Sequence, residues 1–419
     1  MRRIRKSTQR RWLTLIIFAA LICIWAVCET QGVFEREDRF LPQTLAYAQE
    51  PERPAEIVDT PTHVDSGVHF SLNDIFWENN TAYVNLPGNR RARLSLDRNL
   101  QTTIEKALRE PNDPIPHGGV VAIEPHTGRI LAIVSASNDR PKVENYATRA
   151  LAPSASVFKV VTAAALLEKG SVDTQARVCY SGGASMLSES DVRGNPATDH
   201  TCATLEQAIG HSINAVMARL AFQNLGKEDL EKIALKFAFN REIPTEFTTD
   251  VSKAEFVDDD IERAKTAAGF WHVNLSPMHG ALIAAAIENH GIMMTPTIID
   301  EIVDASGISV YQAKPRPWLV TMTATNADTL AKLGENTTRE GSARKMFANR
   351  NGWRKNVRVG GKTGTLSNKQ PFYTFNWFIG WGDDAKGKLA VGALVVNNEK
   401  WWIKGSHVAA RAMGEYFKQ

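Results

Sequence analysis

The sequence predicts an α/β protein of the α+β type, in which one five-stranded antiparallel sheet is flanked by helices and an all-helical subdomain is inserted between its strands. Two apolar runs joined by a turn lie at 119–135, and three more strands are expected near the end of the chain, at 357–364, 372–381 and 389–397. The residues between these groups are mostly helical in pattern up to about residue 292. Strands from both ends of the domain therefore form one sheet, and the helical block becomes an inserted lobe.

The elements of this fold follow in order along the chain. A helix is expected at 98–109, and a Pro-His-Thr-Gly turn joins the first two strands. A buried helix opens at Ser156, three residues after Pro153, which is consistent with a helix start. The helical block ends in an apolar helix capped by Gly291, and a last helix covers 408–417.

Composition indicates an ordinary globular protein. The chain has 419 residues, of which 43% are hydrophobic and 23% charged, which allows a sizeable core in one large domain or two smaller ones. The formal net charge is only +3, and much of the positive excess lies in the first eleven residues. Nucleic acid is therefore not expected as a partner.

The N-terminus is expected to anchor the protein in a membrane. Residues 1–11 carry six Arg or Lys side chains and precede 17 apolar residues at 12–28, which is short but sufficient for a transmembrane helix. Positive charge before the helix predicts a basic cytoplasmic tail and a single pass through the inner membrane, with the rest of the chain on the periplasmic side. A cleaved signal peptide is the alternative, but the Ala-x-Ala sequence at 46–48 lies too far beyond the apolar run for an ordinary cleavage site.

Three further segments follow the anchor. Residues 29–65 are rich in Glu, Pro, Thr and Gln and are expected to be a linker. Residues 66–94 are expected to form a short pedestal or an extension of the sheet, because alternating segments at 82–86 and 92–96 predict a hairpin. Residues 95–419 are then the main domain.

Four cysteines are consistent with an extracytoplasmic location. Cys23 and Cys28 lie within the apolar stretch, where they are expected to be apolar fillers. Cys179 and Cys202 flank a Gly/Ser-rich segment in a compartment that can be oxidising, which predicts a disulfide; the alternative is two buried free thiols. No metal site is expected, because the spacing resembles no zinc motif.

The run that contains Ser156 and Lys159 is the most informative part of the sequence. A lysine is rarely buried without a partner or a purpose, yet Lys159 is surrounded by apolar residues. Residues three apart on a helix share a face, so the Ser156 hydroxyl and the Lys159 amine should lie side by side. A desolvated amine has a lowered pKa and can take a proton from serine, which predicts a nucleophile with its base.

The order of downstream motifs separates this pair from chance. A second Ser-x-x-Lys occurs at Ser342 to Lys345, but only the first is followed by both Ser212-Ile-Asn214 and the single Lys-Thr-Gly of the chain, at 362–364. Together these motifs resemble the signature set of the penicillin-recognising serine enzymes. From about Leu94 to the C-terminus the chain resembles the transpeptidase domain of penicillin-binding proteins, which implies their β-lactamase-like sheet with an active site at its junction with the helical lobe.

The resemblance also implies roles for the motif residues. Ser156 would be the nucleophile that accepts the acyl group, and Lys159 would be its base. Ser212 would relay a proton to the leaving group, and the Asn214 amide would bind the substrate peptide and Lys159.

The Lys-Thr-Gly motif would form the other wall of this site. Lys362, on an edge strand, would help to lower the pKa of the neighbouring catalytic lysine and attract a substrate carboxylate. Thr363, Gly364 and Thr365 would bind substrate, the glycine by leaving room for a bound peptide. The backbone N–H groups of Ser156 and Thr365 would form the oxyanion hole.

The function implied by the resemblance is peptidoglycan D,D-transpeptidation, inhibited by β-lactams and requiring no metal or organic cofactor. Its partners would be peptidoglycan stem peptides and, because the chain has no room for a glycosyltransferase domain, a separate glycan polymerase. A D,D-carboxypeptidase, a class D-like β-lactamase, and a β-lactam-sensing or wall-binding module without turnover remain alternatives.

Overall fold

The computed structural model describes residues 66–110, 114–139, 142–183, 186–370, 372–399 and 403–419. The predicted basic tail, membrane anchor and linker all lie outside these described residues. Among the residues that are described, no helix combines the length and apolar character needed to cross a membrane.

Strands and helices occur mostly in separate runs along the described chain. The strands are β1 Phe76–Glu78, β2 Thr81–Leu86, β3 Arg90–Leu94, β4 His117–Ile123, β5 Ile130–Ser137, β6 Ala152–Pro153, β7 Val178–Tyr180, β8 Thr201–Ala203, β9 Asn274–Leu275, β10 Ile292–Met294, β11 Ile299–Val303, β12 Ser309–Gln312, β13 Pro317–Val320, β14 Arg358–Lys369, β15 Phe372–Asp384 and β16 Gly387–Asn397. The α-helices are α1 Arg98–Arg109, α2 Lys159–Lys169, α3 Glu189–Arg193, α4 Leu205–His211, α5 Asn214–Asn224, α6 Lys227–Lys236, α7 Asp260–Ala267, α8 Pro277–Glu288, α9 Ala324–Arg339, α10 Arg344–Phe347 and α11 Gly405–Tyr416. Three 3₁₀ turns lie at Leu72–Asp74, Tyr146–Thr148 and Ala155–Phe158.

The central sheet has the strand order β14-β15-β16-β4-β5, and every neighbouring pair is antiparallel. This confirms the predicted five-stranded antiparallel sheet built from both ends of the domain. Alternate residues of β4 contribute to two separate cores, Val121 and Ile123 to one and Val120 and Ala122 to the other. The core with Val121 contains α8, and the core with Val120 contains α1 and α11, so the sheet lies between two helical layers.

The helical lobe lies between β5 and α8 in the chain. Helices α2 to α7 occupy it, together with two short ladders, β6 with β9 and β7 with β8. Helix α2 is buried from Lys159 to Leu166, and it ends at Gly170, whose φ of +64° is easily adopted only without a side chain. The predicted helical insertion is therefore present, with the small ladders as an addition.

A second five-stranded sheet was not foreseen from the sequence. The predicted hairpin at 82–86 and 92–96 is present as β2 and β3, but it does not extend the central sheet. Instead β3 pairs with β11, and the sheet has the order β1-β2-β3-β11-β12. Strand β11 is the short sequence Ile-Asp-Glu-Ile-Val, whose apolar residues do not alternate, so its strand character depends on the distant hairpin.

Candidate active site

The serine nucleophile predicted from the sequence lies on a tight turn before α2. Ser156 belongs to the 3₁₀ turn Ala155–Phe158, whereas the α-helix itself starts only at Lys159. The prediction that the helix opens at Ser156 is therefore early by one turn. Because β6 pairs with β9 as far as Pro153, the chain must turn sharply afterwards, and Ala155 adopts a φ of +49°.

Lys159 is the centre of the site. Its side chain is fully buried, and its Nζ lies 2.6 Å from Ser156 Oγ, 2.7 Å from Asn214 Oδ1 and 2.6 Å from the backbone oxygen of Ala268. A neutral amine has two N–H donors and one lone pair. The Asn214 and Ala268 oxygens can only accept, so they take the two N–H groups and leave the lone pair for the Ser156 hydroxyl.

Two lysines share this buried environment. Burial lowers the pKa of Lys159 well below its usual value, and the positive charge of Lys362 lowers it further. Lys362 is also fully buried, which lowers its own pKa to about 7, and its Nζ donates a hydrogen bond of 2.9 Å to the Thr363 backbone oxygen. The lowered pKa favours the neutral form of Lys159, which has a lone pair that can accept a proton.

Ser212 and Asn214 lie at the junction of α4 and α5. Ser212 caps the end of α4 with a φ of +61°, an uncommon conformation for a residue other than glycine, and Asn214 is the first residue of α5. Of the two side chains, it is Asn214 that reaches Lys159 Nζ. The strained turn therefore directs the start of α5 at the Lys159 amine.

Strand β14 packs directly on the nucleophile turn. It is an edge strand of the central sheet, and at Gly364 a Cβ atom would lie 3.2 Å from the Ser154 backbone oxygen and from a Val157 methyl. Trp377, opposite Gly364 on β15, donates a hydrogen bond of 2.8 Å from Nε1 to the Pro153 oxygen. Gly364 therefore leaves space for the turn that carries Ser156, and it also lies beside the candidate active site.

The two threonines of this strand have different surroundings. Thr365 lines a cavity of about 740 Å³ together with Ser156 and Asn214. The Thr363 hydroxyl lies 2.6 Å from the hydroxyl of Ser342. A substrate in the cavity would therefore meet Thr365 beside the nucleophile.

Ser342 is a site residue that the sequence did not reveal. Its N–H donates to the Gly210 backbone oxygen at 3.0 Å, so Ser342 connects the end of α4 to Thr363 on β14. Gly341 allows this contact, since a Cβ there would lie 2.1 Å from the Gly210 oxygen. The local sequence contains no signal for this role, because the contact joins three distant segments.

A disulfide and a buried ion pair hold one side of the helical lobe. Cys179 and Cys202 face each other across β7 and β8 and are bonded to each other. Arg219 of α5 pairs with Asp199 at 2.8 Å, both side chains being largely buried, and also donates to the Cys179 oxygen. The described residues contain no group of three or more His, Cys, Asp or Glu side chains that could hold a metal ion.

Comparison with known proteins gives a consistent result. A family model described as the penicillin binding protein transpeptidase domain matches residues 118–418. The chain is 28% identical over 318 residues to the peptidoglycan D,D-transpeptidase PbpA of Mycobacterium tuberculosis, which covers 67% of this chain and 62% of that protein. It is 26% identical over 353 residues to stage V sporulation protein D of Bacillus subtilis, covering 78% of this chain and 52% of that protein. The chain thus spans less than two thirds of the length of these curated relatives.

Solved structures show the same fold. An imipenem acyl-enzyme complex of penicillin-binding protein A from M. tuberculosis has a TM-score of 0.66 at 22% identity, covering 78% of this chain and 79% of that one. The D,D-transpeptidase domain of a peptidoglycan glycosyltransferase from Eggerthella lenta has a TM-score of 0.65 at 22% identity, covering 78% and 82%. At this level of identity, the likeness concerns the fold alone.

Proposed function

This chain belongs to the family of penicillin-binding protein transpeptidase domains, and from that premise we propose that it is a serine D,D-transpeptidase that cross-links peptidoglycan stem peptides and is inhibited by β-lactams. The observation that carries the proposal is the position of Lys159 Nζ, which is buried and lies 2.6 Å from Ser156 Oγ. A serine beside a desolvated amine is an activated nucleophile without any further cofactor.

In the first step, Ser156 would attack the carbonyl carbon of the peptide bond between the two terminal D-alanines. Its hydroxyl proton would pass to Lys159, whose lone pair is free to accept it. The carbonyl oxygen would become an oxyanion held by the backbone N–H groups of Ser156 and Thr365. The C–N bond would then break, and Lys159 would return its proton to the departing D-alanine amine through the Ser212 hydroxyl.

In the second step, an amine from a neighbouring stem peptide would attack the ester carbon on Ser156. Lys159 would take one proton from this amine and return a proton to Ser156 Oγ as the ester bond breaks. The products would be a new amide cross-link and the free serine. The buried charge of Lys362 would keep Lys159 neutral between proton transfers, and Lys362 and Thr363 would attract the terminal carboxylate of the donor peptide.

The decisive experiment follows the intact mass of the full chain in mild detergent after addition of benzylpenicillin. A long-lived adduct of one drug molecule is expected, and Ser156→Ala should abolish it while keeping the thermal unfolding curve of the wild type. Rapid drug hydrolysis with no lasting adduct would instead identify a β-lactamase. If neither an adduct nor drug hydrolysis is observed, the enzyme proposal is refuted and a binding module is favoured.

A second measurement separates transpeptidation from hydrolysis. A peptide ending in D-Ala-D-Ala is incubated with the protein and an excess of an acceptor amine, and the products are weighed by mass spectrometry. A transpeptidase transfers the acyl group to the amine, whereas a D,D-carboxypeptidase transfers it to water at every amine concentration.

We also propose that the catalytic domain acts on the outer side of the cytoplasmic membrane, anchored by residues 12–28 beside a separate glycan polymerase. The Cys179–Cys202 disulfide supports an oxidising compartment. Resistance to carbonate extraction from membranes tests the anchor. Copurification of a polymerase in mild detergent tests the partner, and isolation of this protein alone would count against it.

A further inference from the structure

A second cleft lies apart from the candidate active site. It has a volume of about 540 Å³ and is bounded by α10, by the loop at 349–353 and by α11, and we call it the α10–α11 cleft. Its lining shares no residue with the cavity beside Ser156. The acyl-transfer reaction therefore does not account for it.

One wall of this cleft belongs to a strongly basic stretch of the chain. Residues 339–358 contain seven Lys or Arg and a single Glu. After the first eleven residues, the whole chain has 43 Lys or Arg against 46 Asp or Glu, so this positive charge is a local feature. Such a concentration of one sign of charge attracts anions.

Part of this charge is neutralised within the domain, but Lys345 is not. Arg354 pairs with Asp384 and Arg358 with Asp383, so these side chains are already engaged. Lys345 is exposed, lines the cleft, and its amine has no ion pair or hydrogen bond with any residue that the structure describes. It can therefore bind an anion without losing a contact of its own.

Two more cations line the cleft from α11 and the C-terminus. Arg411 is 57% exposed and pairs with Glu110 at 3.0 Å, and Lys418 is 55% exposed and pairs with Glu415. Ion pairs this exposed are weak, because water competes for both partners. Among the described residues of the lining, Glu415 is the only acidic one, so an anion in the cleft meets three cations and one carboxylate.

An amide donor adds to these cations. Asn349 Oδ1 accepts a hydrogen bond of 3.0 Å from the Asn351 backbone N–H, which leaves the Asn349 amide N–H groups to donate into the cleft. A phosphate group has up to two negative charges and three acceptor oxygens, so it can use several cations and an amide together. A carboxylate, with one charge and two oxygens, would leave part of this set unused.

The second Ser-x-x-Lys sequence of the chain spans this region. Ser342 precedes α10, and its hydroxyl lies 2.6 Å from that of Thr363 in the candidate active site. Lys345 lies on α10 itself and lines the cleft. The two side chains therefore have different surroundings and do not form a nucleophile with its base.

We propose that the α10–α11 cleft is a binding site for a phosphate group, which Lys345, Arg411 and Lys418 hold together with the Asn349 amide. The phosphate can belong to a lipid headgroup or to a soluble phosphate compound, because both present the same oxygens and charge. The assignment does not depend on the transpeptidase reaction, since the cleft and the Ser156 cavity have no residue in common.

The test measures thermal unfolding of the full chain in mild detergent at increasing concentrations of inorganic tripolyphosphate. A ligand that binds only the folded protein raises Tm with its concentration, and the dependence gives Kd. We expect such a rise in the wild type. In Lys345→Met we expect Kd to increase by about tenfold, the effect of losing one charge-assisted hydrogen bond.

The matched control is Lys355→Met. Lys355 belongs to the same basic stretch, is exposed, and has no ion-pair partner among the described residues, but it does not line the cleft. Its replacement removes the same charge, so Kd should stay within about twofold of the wild-type value. Without ligand, both variants should unfold at the wild-type temperature, which shows that their fold is intact.

A second arm of the test separates the two sources of phosphate. Phosphatidylglycerol is added to the detergent micelles, and native mass spectrometry counts the lipid molecules that the protein retains. A tripolyphosphate response that Lys345→Met weakens supports a soluble phosphate compound as ligand. One retained lipid that is lost in Lys345→Met but kept in Lys355→Met supports a headgroup.

The absence of a response to both probes in the wild type would overturn the proposal. An equal loss of binding in Lys345→Met and Lys355→Met would overturn it as well, because it would show a general effect of surface charge and no site in the cleft.

Discussion

Replacing Asn214 by Asp tests whether Lys159 acts as the base. The change is nearly isosteric and places a carboxylate oxygen where the amide oxygen now lies, 2.7 Å from Lys159 Nζ. An opposite charge at this distance raises the pKa of an amine by about 1–3 units, or about 1.4–4 kcal/mol. Lys159 then stays protonated at a pH where the wild-type amine is neutral, and a protonated amine cannot accept the Ser156 proton.

The assay is the second-order rate constant for benzylpenicillin acylation, measured by intact mass from pH 5 to pH 10. We expect the pH range in which the acylation rate rises to shift to higher pH by about 1–3 units in Asn214→Asp. At the low-pH end of this rise, the acylation rate of the variant should be about 10- to 1000-fold below that of the wild type, and it should recover at high pH. Asn214→Ala should lower the rate by about tenfold without this upward movement, because it removes an acceptor but adds no charge.

The control is Asn349→Asp, which makes the same change of charge at an exposed position outside the cavity. This variant should reproduce the wild-type profile. If the acylation rate of Asn214→Asp had the same pH profile as that of the wild type, Lys159 would not be the group whose deprotonation controls acylation.

Three further predictions concern the neighbours of Lys159. The pKa of Lys362 falls from 10.5 to about 7 on folding, so between these values the unfolded chain binds the extra proton and the free energy of unfolding rises with pH. Denaturant titrations should show a smaller rise in Lys362→Met, and an identical slope would contradict the lowered pKa of Lys362. Ser342→Ala should slow benzylpenicillin acylation about 3- to 10-fold by releasing Thr363, whereas Ser342→Thr, which keeps the hydroxyl, should stay near the wild-type rate. Gly269→Ala should destabilise the protein by about 1–3 kcal/mol in urea unfolding and also slow acylation, because its Cβ would lie 2.3 Å from the Ala155 oxygen. Stability and an acylation rate equal to those of the wild type would show that the loop after α7 relaxes without cost.

Several parts of the fold and site were accessible from the sequence because their signals are local. Four of the five strands of the central sheet contain long apolar runs, and β4 and β16 are buried along nearly their whole length. The pairing of Ser156 with Lys159 follows from their i,i+3 spacing, which brings side chains together in a 3₁₀ turn as well as in an α-helix. The order of the three motifs predicted that Asn214 would join them. Each of these features depends on residues that are close together in the sequence.

Other features depended on which distant segments meet. The second sheet joins β3 to β11, and the short β11 has no alternation that would identify it. Ser342 resembled a chance motif, yet it connects Gly210 to Thr363. Arg219 of α5 pairs with Asp199, which belongs to a different segment of the lobe.

The sequence by itself therefore determined the central sheet and the positions of the proposed nucleophile and its base, since periodicity and motif order are properties of neighbouring residues. Only the tertiary structure decided how that base is made active. The lowered pKa of Lys159 comes from desolvation and from the charge of Lys362, and its lone pair is directed at Ser156 by the oxygens of Asn214 and Ala268. Burial and electrostatic coupling are set by the segments that folding brings together, and no local pattern records them.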